Sequence, residues 1–356
     1  MRCILFFAII TASAWAQPTM PQPTAPQMAR AGDVLGPGNF LHVVADVDKA
    51  IDFYENVLGM DLQRAPDGSK AVTPRSYVNT PEIQNLYNAP GVPFRVATGM
   101  INESPMRAEF IEWNEAGRKP IQPRIQDPGA TRMILMVRNL DAILARVRRT
   151  GTTVVTSGGS PMTLETSAGT RKMILLKDPD GFFVELIQPL PPPLDATRAS
   201  NNIYSIGFGV TVSDLDKTLS VFKVALGFDP KVGMWTQDEK VASIAGLPAA
   251  ETRSAEAAVP GSNLQIEFRE FRNVGRKANE SSLRDPGTPI LRLHVRDIDT
   301  TLTKLFAAGI KVASKDEQYV TLNTNLNTNG NSVRLVILRG PDNLMIQLLQ
   351  NVVPGN

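Results

Sequence analysis

At 356 residues the chain has room for two domains of ordinary size, each able to bury a core of its own. Its 37 Lys and Arg against 35 Asp and Glu leave a formal charge of +2, with no basic run beyond short pieces such as Arg146, Arg148 and Arg149, so nucleic acid is not an expected partner. The single cysteine, Cys3, precedes the first apolar run, and with no other thiol a disulfide, a catalytic cysteine and a thiolate zinc site are excluded.

Residues 1–16 join MRC to an apolar run and end at Ala14-Trp15-Ala16, the pattern of a secretory signal peptide too short to remain as a membrane span. A periplasmic or extracellular protein with no membrane contact after cleavage is therefore expected. Residues 17–35 are rich in Pro, Gln and Thr and predict a disordered tether. FLHVV (40–44) then predicts a strand. Asp46 caps a helix whose apolar face is Val47, Ala50, Ile51, Tyr54, Val57 and Leu58, closed by Gly59. PFRVATGMI and RAEFIEW follow as alternating strands. A second quarter runs MILMV, a helix over Leu140, Ile143, Leu144 and Val147, then KMILLKD and FFVELIQ. Residues 190–201, with prolines at 191–193, read as a stiff linker. A third quarter has FGVTV, a helix over Leu215, Leu219, Phe222 and Leu226, and LQIEFREF. The fourth has LRLHV, a helix over Ile298, Leu302, Leu305 and Phe306, then VRLVILR and LMIQLLQ.

The second half repeats the first. IQDPGATRMILMVRNLDAI (125–143) returns as LRDPGTPILRLHVRDIDTT (283–301), ADVDKAIDFYENVLGMD (45–61) as SDLDKTLSVFKVALGFD (213–229), and DPDGFFVEL (178–186) as GPDNLMIQL (340–348). The expected division is two tandem domains, 36–189 and a more degenerate 202–352, each built from two quarters.

Strand-helix-hairpin quarters with an FY…LG helix and a DPDG turn resemble the glyoxalase, bleomycin-resistance and extradiol dioxygenase (vicinal oxygen chelate) superfamily. The resemblance implies an α+β fold in which four βαβββ modules form two open, cup-shaped mixed sheets with helices outside. It also implies a small-molecule ligand and a metal at the cup floor, held by residues from the first and last strands of each module.

Set on the family pattern, the ligand positions of the first copy fall on Asn39, Glu109, Arg132 and Glu185, and those of the second on Gly207, Glu267, Ile290 and Gln347. Arg132 has donors only and cannot ligate a cation, whereas it pairs readily with Glu109 and Glu185. No cofactor is expected on this reading. The alternative is a divalent metal on Asn39, Glu109 and Glu185, with His42 as a further ligand. His42 lies three residues from Asn39, an odd separation that turns it to the other face of its strand; His294 lies four beyond Ile290. Arg118 and Lys119, repeated as Arg276 and Lys277, read first as parts of a connecting loop and second as an anion clamp. Two functions remain open. One is an enzyme of lyase or dioxygenase type in which Glu185 or Glu109 moves a proton. The other is a binding or sequestering protein whose ligand contacts are Asn39, Arg132, Glu267 and Gln347. The sequence is silent on substrate, oligomeric state and whether the quarters pair within a copy or are exchanged between copies, one with four and two with three.

Overall fold

A computed structural model describes residues 33–63, 76–100, 107–166, 169–198, 201–323 and 332–352. The signal peptide and nearly all of the tether lie outside the described residues. The first quarter comprises β1 (Val34–Val44), α1 (Val47–Ile51, continued by a π-helical stretch, Asp52–Leu58), β2 (Asp61–Gln63), α2 (Pro81–Leu86), β3 (Phe94–Met100) and β4 (Ala108–Trp113). The second has β5 (Thr131–Val137), α3 (Leu140–Thr150), β6 (Met162–Thr166), β7 (Gly169–Lys177) and β8 (Phe183–Leu190), after which α4 (Leu194–Arg198) occupies the segment expected to be a linker. The third holds β9 (Ile203–Val212), α5 (Leu215–Leu226), β10 (Lys231–Val232), α6 (Glu239–Ile244), β11 (Glu251–Ala258) and β12 (Gln265–Arg272). The fourth holds β13 (Pro289–Val295), α7 (Ile298–Ala307), β14 (Lys311–Val312), β15 (Val320–Asn323), β16 (Ser332–Arg339) and β17 (Met345–Val352).

Each quarter's main helix starts in the same way. Asp46, Asn139, Asp214 and Asp297 cap the free N–H groups with their side chains. A residue of the same quarter's last strand adds an acceptor at the first helical N–H: Glu112 to Val47 (2.7 Å), Gln188 to Leu140 (2.9 Å), Glu270 to Leu215 (3.1 Å) and Gln350 to Ile298 (3.1 Å). This ties each of these four helices to the back of its own strands. The faces hold with two exceptions. The wider π-helical turn after Ile51 rotates the first helix so that Phe53 is buried and Ile51 only half-buried, and Phe306 is 49% exposed.

The quarters pair differently from the division into 36–189 and 202–352. Quarters one and four form a nine-stranded sheet, in which β1 runs antiparallel to β13; quarters two and three form an eight-stranded one, joined by β5 and β9. Within a copy the quarters meet through helices instead, α3 packing on the π-helical stretch and α7 on α5. One core, including Phe40, Phe110, Leu135, Phe208, Phe222 and Leu291, is shared by the helix-bearing faces of both sheets. The concave faces hold two smaller clusters, one around Tyr87, Trp113 and Ile337, the other around Ile125, Phe183 and Phe271.

Candidate functional site

The exchange of quarters divides the expected residues into two floors. On the eight-stranded sheet Arg132 (β5), Glu185 (β8) and Glu267 (β12) converge. Arg132 Nε donates to Glu185 Oε2 at 2.6 Å, and its NH2 lies 2.6 Å from Glu267 Oε2. The expected bridge from Arg132 to Glu109 is not formed, because β9 and β12, rather than β1 and β4, follow β5 in the sheet. Gly209 on β9 stands opposite both Arg132 and Glu267. A Cβ there would sit 2.6 Å from Arg132 Cζ, so the guanidinium crosses the intervening strand only because that residue is glycine. Arg269 holds the other oxygen of Glu267, at 2.6 Å. Burial pushes Glu267 up, but Arg132 and Arg269 outweigh it and bring the carboxyl down to about 2. Arg132 is likewise held firmly charged: burial opposes the charge, and Glu267 and Glu185 overcome it.

On the nine-stranded sheet Asn39 (β1), Glu109 (β4) and Gln347 (β17) meet Arg292 (β13), which the sequence reading missed in favour of Ile290. Asn39 Nδ2 donates to Glu109 Oε2 at 2.9 Å, Arg292 NH1 lies 3.5 Å from the same oxygen, and Arg292 Nε donates to Gln347 Oε1. Here the crossed glycine is Gly38, whose Cβ would lie 2.5 Å from Arg292 Cγ. Arg292 shares a strand face with Ile290, two residues away. A lone arginine between leucines in LRLHV was the available signal. The two floors thus use one device: an arginine reaches a side chain on its parallel neighbour and, over a glycine, a glutamate on the strand beyond.

His42 points to the helix side, as its spacing from Asn39 implies, and joins neither floor. Its Nε2 lies 2.7 Å from Asp178 Oδ2, which also accepts from Tyr54 Oη at 3.0 Å; Asp178 Oδ1 accepts from the N–H groups of Asp180 and Phe182 at 2.9 Å each. His42, Asp178 and Asp180 are close enough to share a cation. With four donors already on Asp178, however, its acceptor sites are filled, and the cluster reads as a hydrogen-bonded hub between quarters one and two. His294 is held neutral, its pKa brought down to about 4 by burial and by Arg292. Arg118 donates to the carbonyls of Val44 and Arg284 at 3.3 and 3.1 Å, which fits the loop reading.

A metal implied by the fold does not fit either floor. At each a guanidinium sits among the would-be ligands, repelling a cation and engaging their oxygens. Glu109 and Glu185, expected together, lie in different floors, so the alternative cation set of Asn39, Glu109, Glu185 and His42 is not assembled.

Residues 37–186 match the family model described as the Glyoxalase/Bleomycin resistance protein/Dioxygenase superfamily. Among solved structures, glyoxalase I from Zea mays is 14% identical, with a TM-score of 0.52 over 91% of this chain and 94% of that one. A single-residue variant of the same enzyme gives 15% identity and a TM-score of 0.54 over the same shares. At these identities the likeness is one of fold. No curated protein matches the chain.

Proposed function

Because the chain belongs to the glyoxalase/bleomycin resistance protein/dioxygenase superfamily, by its residues 37–186 and by its fold, we propose that it binds a small molecule in a cup without the help of a metal ion. The observation that supports this is Arg132, 1% exposed, spanning Glu185 and Glu267 where the fold would place a cation. Binding or sequestering is then favoured over lyase or dioxygenase chemistry that relies on such a cation. A proton-transfer role is better suited to Glu109, whose Oε1 has no partner among the described residues, than to Glu185, which is tied to Arg132. The N-terminal apolar segment supports placing this activity outside the cytoplasm.

Calorimetric titration with Zn²⁺, Mn²⁺ and Ni²⁺ tests the reading. Wild-type protein should show no stoichiometric binding at either floor. Arg132→His, which exchanges the guanidinium for an imidazole between Glu185 and Glu267, should gain a site. Stoichiometric binding to the wild type that is lost in Glu185→Gln would overturn the proposal.

A further inference from the structure

We infer that the cup of the nine-stranded sheet, and not its twin, takes an uncharged, flat, amide-like molecule; this rests on the metal-independent reading above. The floor there is only half satisfied. Glu109 Oε2 takes Asn39 and faces Arg292, leaving Oε1 without a partner. Gln347 gives its oxygen to Arg292, which fixes the amide and leaves Nε2 unpartnered. Tyr87 Oη and Trp113 Nε1 also lack partners, so that all four atoms are unengaged among the described residues. All four side chains belong to residues no more than 1% exposed. A buried polar atom left without a partner costs about 1–3 kcal/mol. The charges of Glu109 and Arg292 act on Tyr87, Trp113 packs on Tyr87, and Arg292 reaches both Glu109 and Gln347, so the four residues belong to one neighbourhood and point to an occupant.

The chemistry of that occupant follows from what is left over. Three donors and one acceptor ask for a carbonyl-type oxygen together with one N–H or O–H directed at Glu109. The charges of Glu109 and Arg292 cancel, so a charged ligand would bring an unbalanced charge into a buried site. The rings of Tyr87, Trp113 and Phe94 stand 5.1 Å apart in succession, beside Ile290 and Ile337, and offer a flat apolar body its walls. The twin cup lacks this set. Among the described residues its unpartnered floor atoms are the terminal nitrogens of Arg132, one of them already 2.6 Å from Glu267, and Trp113 is replaced there by Phe271, which has no donor.

Benzamide is a suitable probe, with benzoate and toluene as controls. Titrated into the full protein, benzamide should saturably shift the Trp113 indole N–H resonance, assigned with Trp113→Phe. Benzoate and toluene should each bind at least tenfold more weakly, and Tyr87→Phe should weaken benzamide at least tenfold while the circular dichroism stays unchanged. Should that variant fail to fold, the comparison of the three probes on wild-type protein decides. An indole signal unmoved by benzamide, moved equally by benzoate, or exchanging only with bound water would overturn the inference. A metal-free protein that ignores benzamide would refute this inference alone, whereas stoichiometric metal at a floor would refute the reading beneath it.

Discussion

Asp180 is held in its turn at a cost that pH reveals. Its Oδ2 accepts from the Ala45 N–H at 3.1 Å, while burial, and then the charge of Asp178, raise its pKa from 3.8 to about 6. The folded state therefore holds the proton more tightly than the unfolded chain does. Stability from this group is greatest below about pH 4 and is lost as pH rises toward 6, by up to about 3 kcal/mol. Asp180→Asn keeps the acceptor and removes the charge. Urea unfolding should show the variant more stable than wild type at pH 7 and no better at pH 4; an equal effect at both would refute the assignment. Asp178 is different, because its two oxygens already meet four partners, His42, Tyr54 and the N–H groups of Asp180 and Phe182. Its counterpart in the second copy is Gly340, and those of His42 and Tyr54 are Val210 and Phe222, so this polar hub exists on one side of the molecule only.

Among elements, β1 and β9 decide the sites, because each carries a glycine under an arginine. Gly209→Ala would press a methyl group against the Cγ, Nε and Cζ of a side chain locked by two carboxylates. Overpacking of this kind costs about 1–3 kcal/mol. Gly207→Ala, whose Cβ would meet Gln265 O at 3.3 Å, is the milder control. Denaturant midpoints should fall clearly for the first and little for the second; equal shifts would show that Arg132 does not lie over Gly209. Strands, caps and helix faces could be read from periodicity, as could the inward turn of His42. Arg292 could not be read by counting along the family pattern, which lands on Ile290, although β1 also changes register against β13 between Pro37 and Phe40. Nothing local marks Gly38 or Gly209, since their role appears only once the strands on either side are known.

In the whole molecule the sequence repeat and the sheets cut the chain differently. Pairing quarters within a copy or across copies satisfies the same hydrophobic patterns, so periodicity cannot choose between them. The loops add reciprocal ties: Ile121 N–H to Pro286 O at 2.8 Å, and Asn279 N–H to Pro128 O at 3.0 Å. Cutting between β8 and β9 should therefore not release two folded halves. The fragments should co-elute in size-exclusion chromatography until denaturant is added, and separation in native buffer would contradict the pairing of quarters one with four and two with three. The central claim is that arginine stands where this fold otherwise holds a cation, and elemental analysis of the native protein, purified without chelators, tests it most directly. Less than a tenth of an equivalent of any divalent metal is predicted; one equivalent of a transition metal, lost on replacing Glu185 or Glu109 by glutamine, would contradict it.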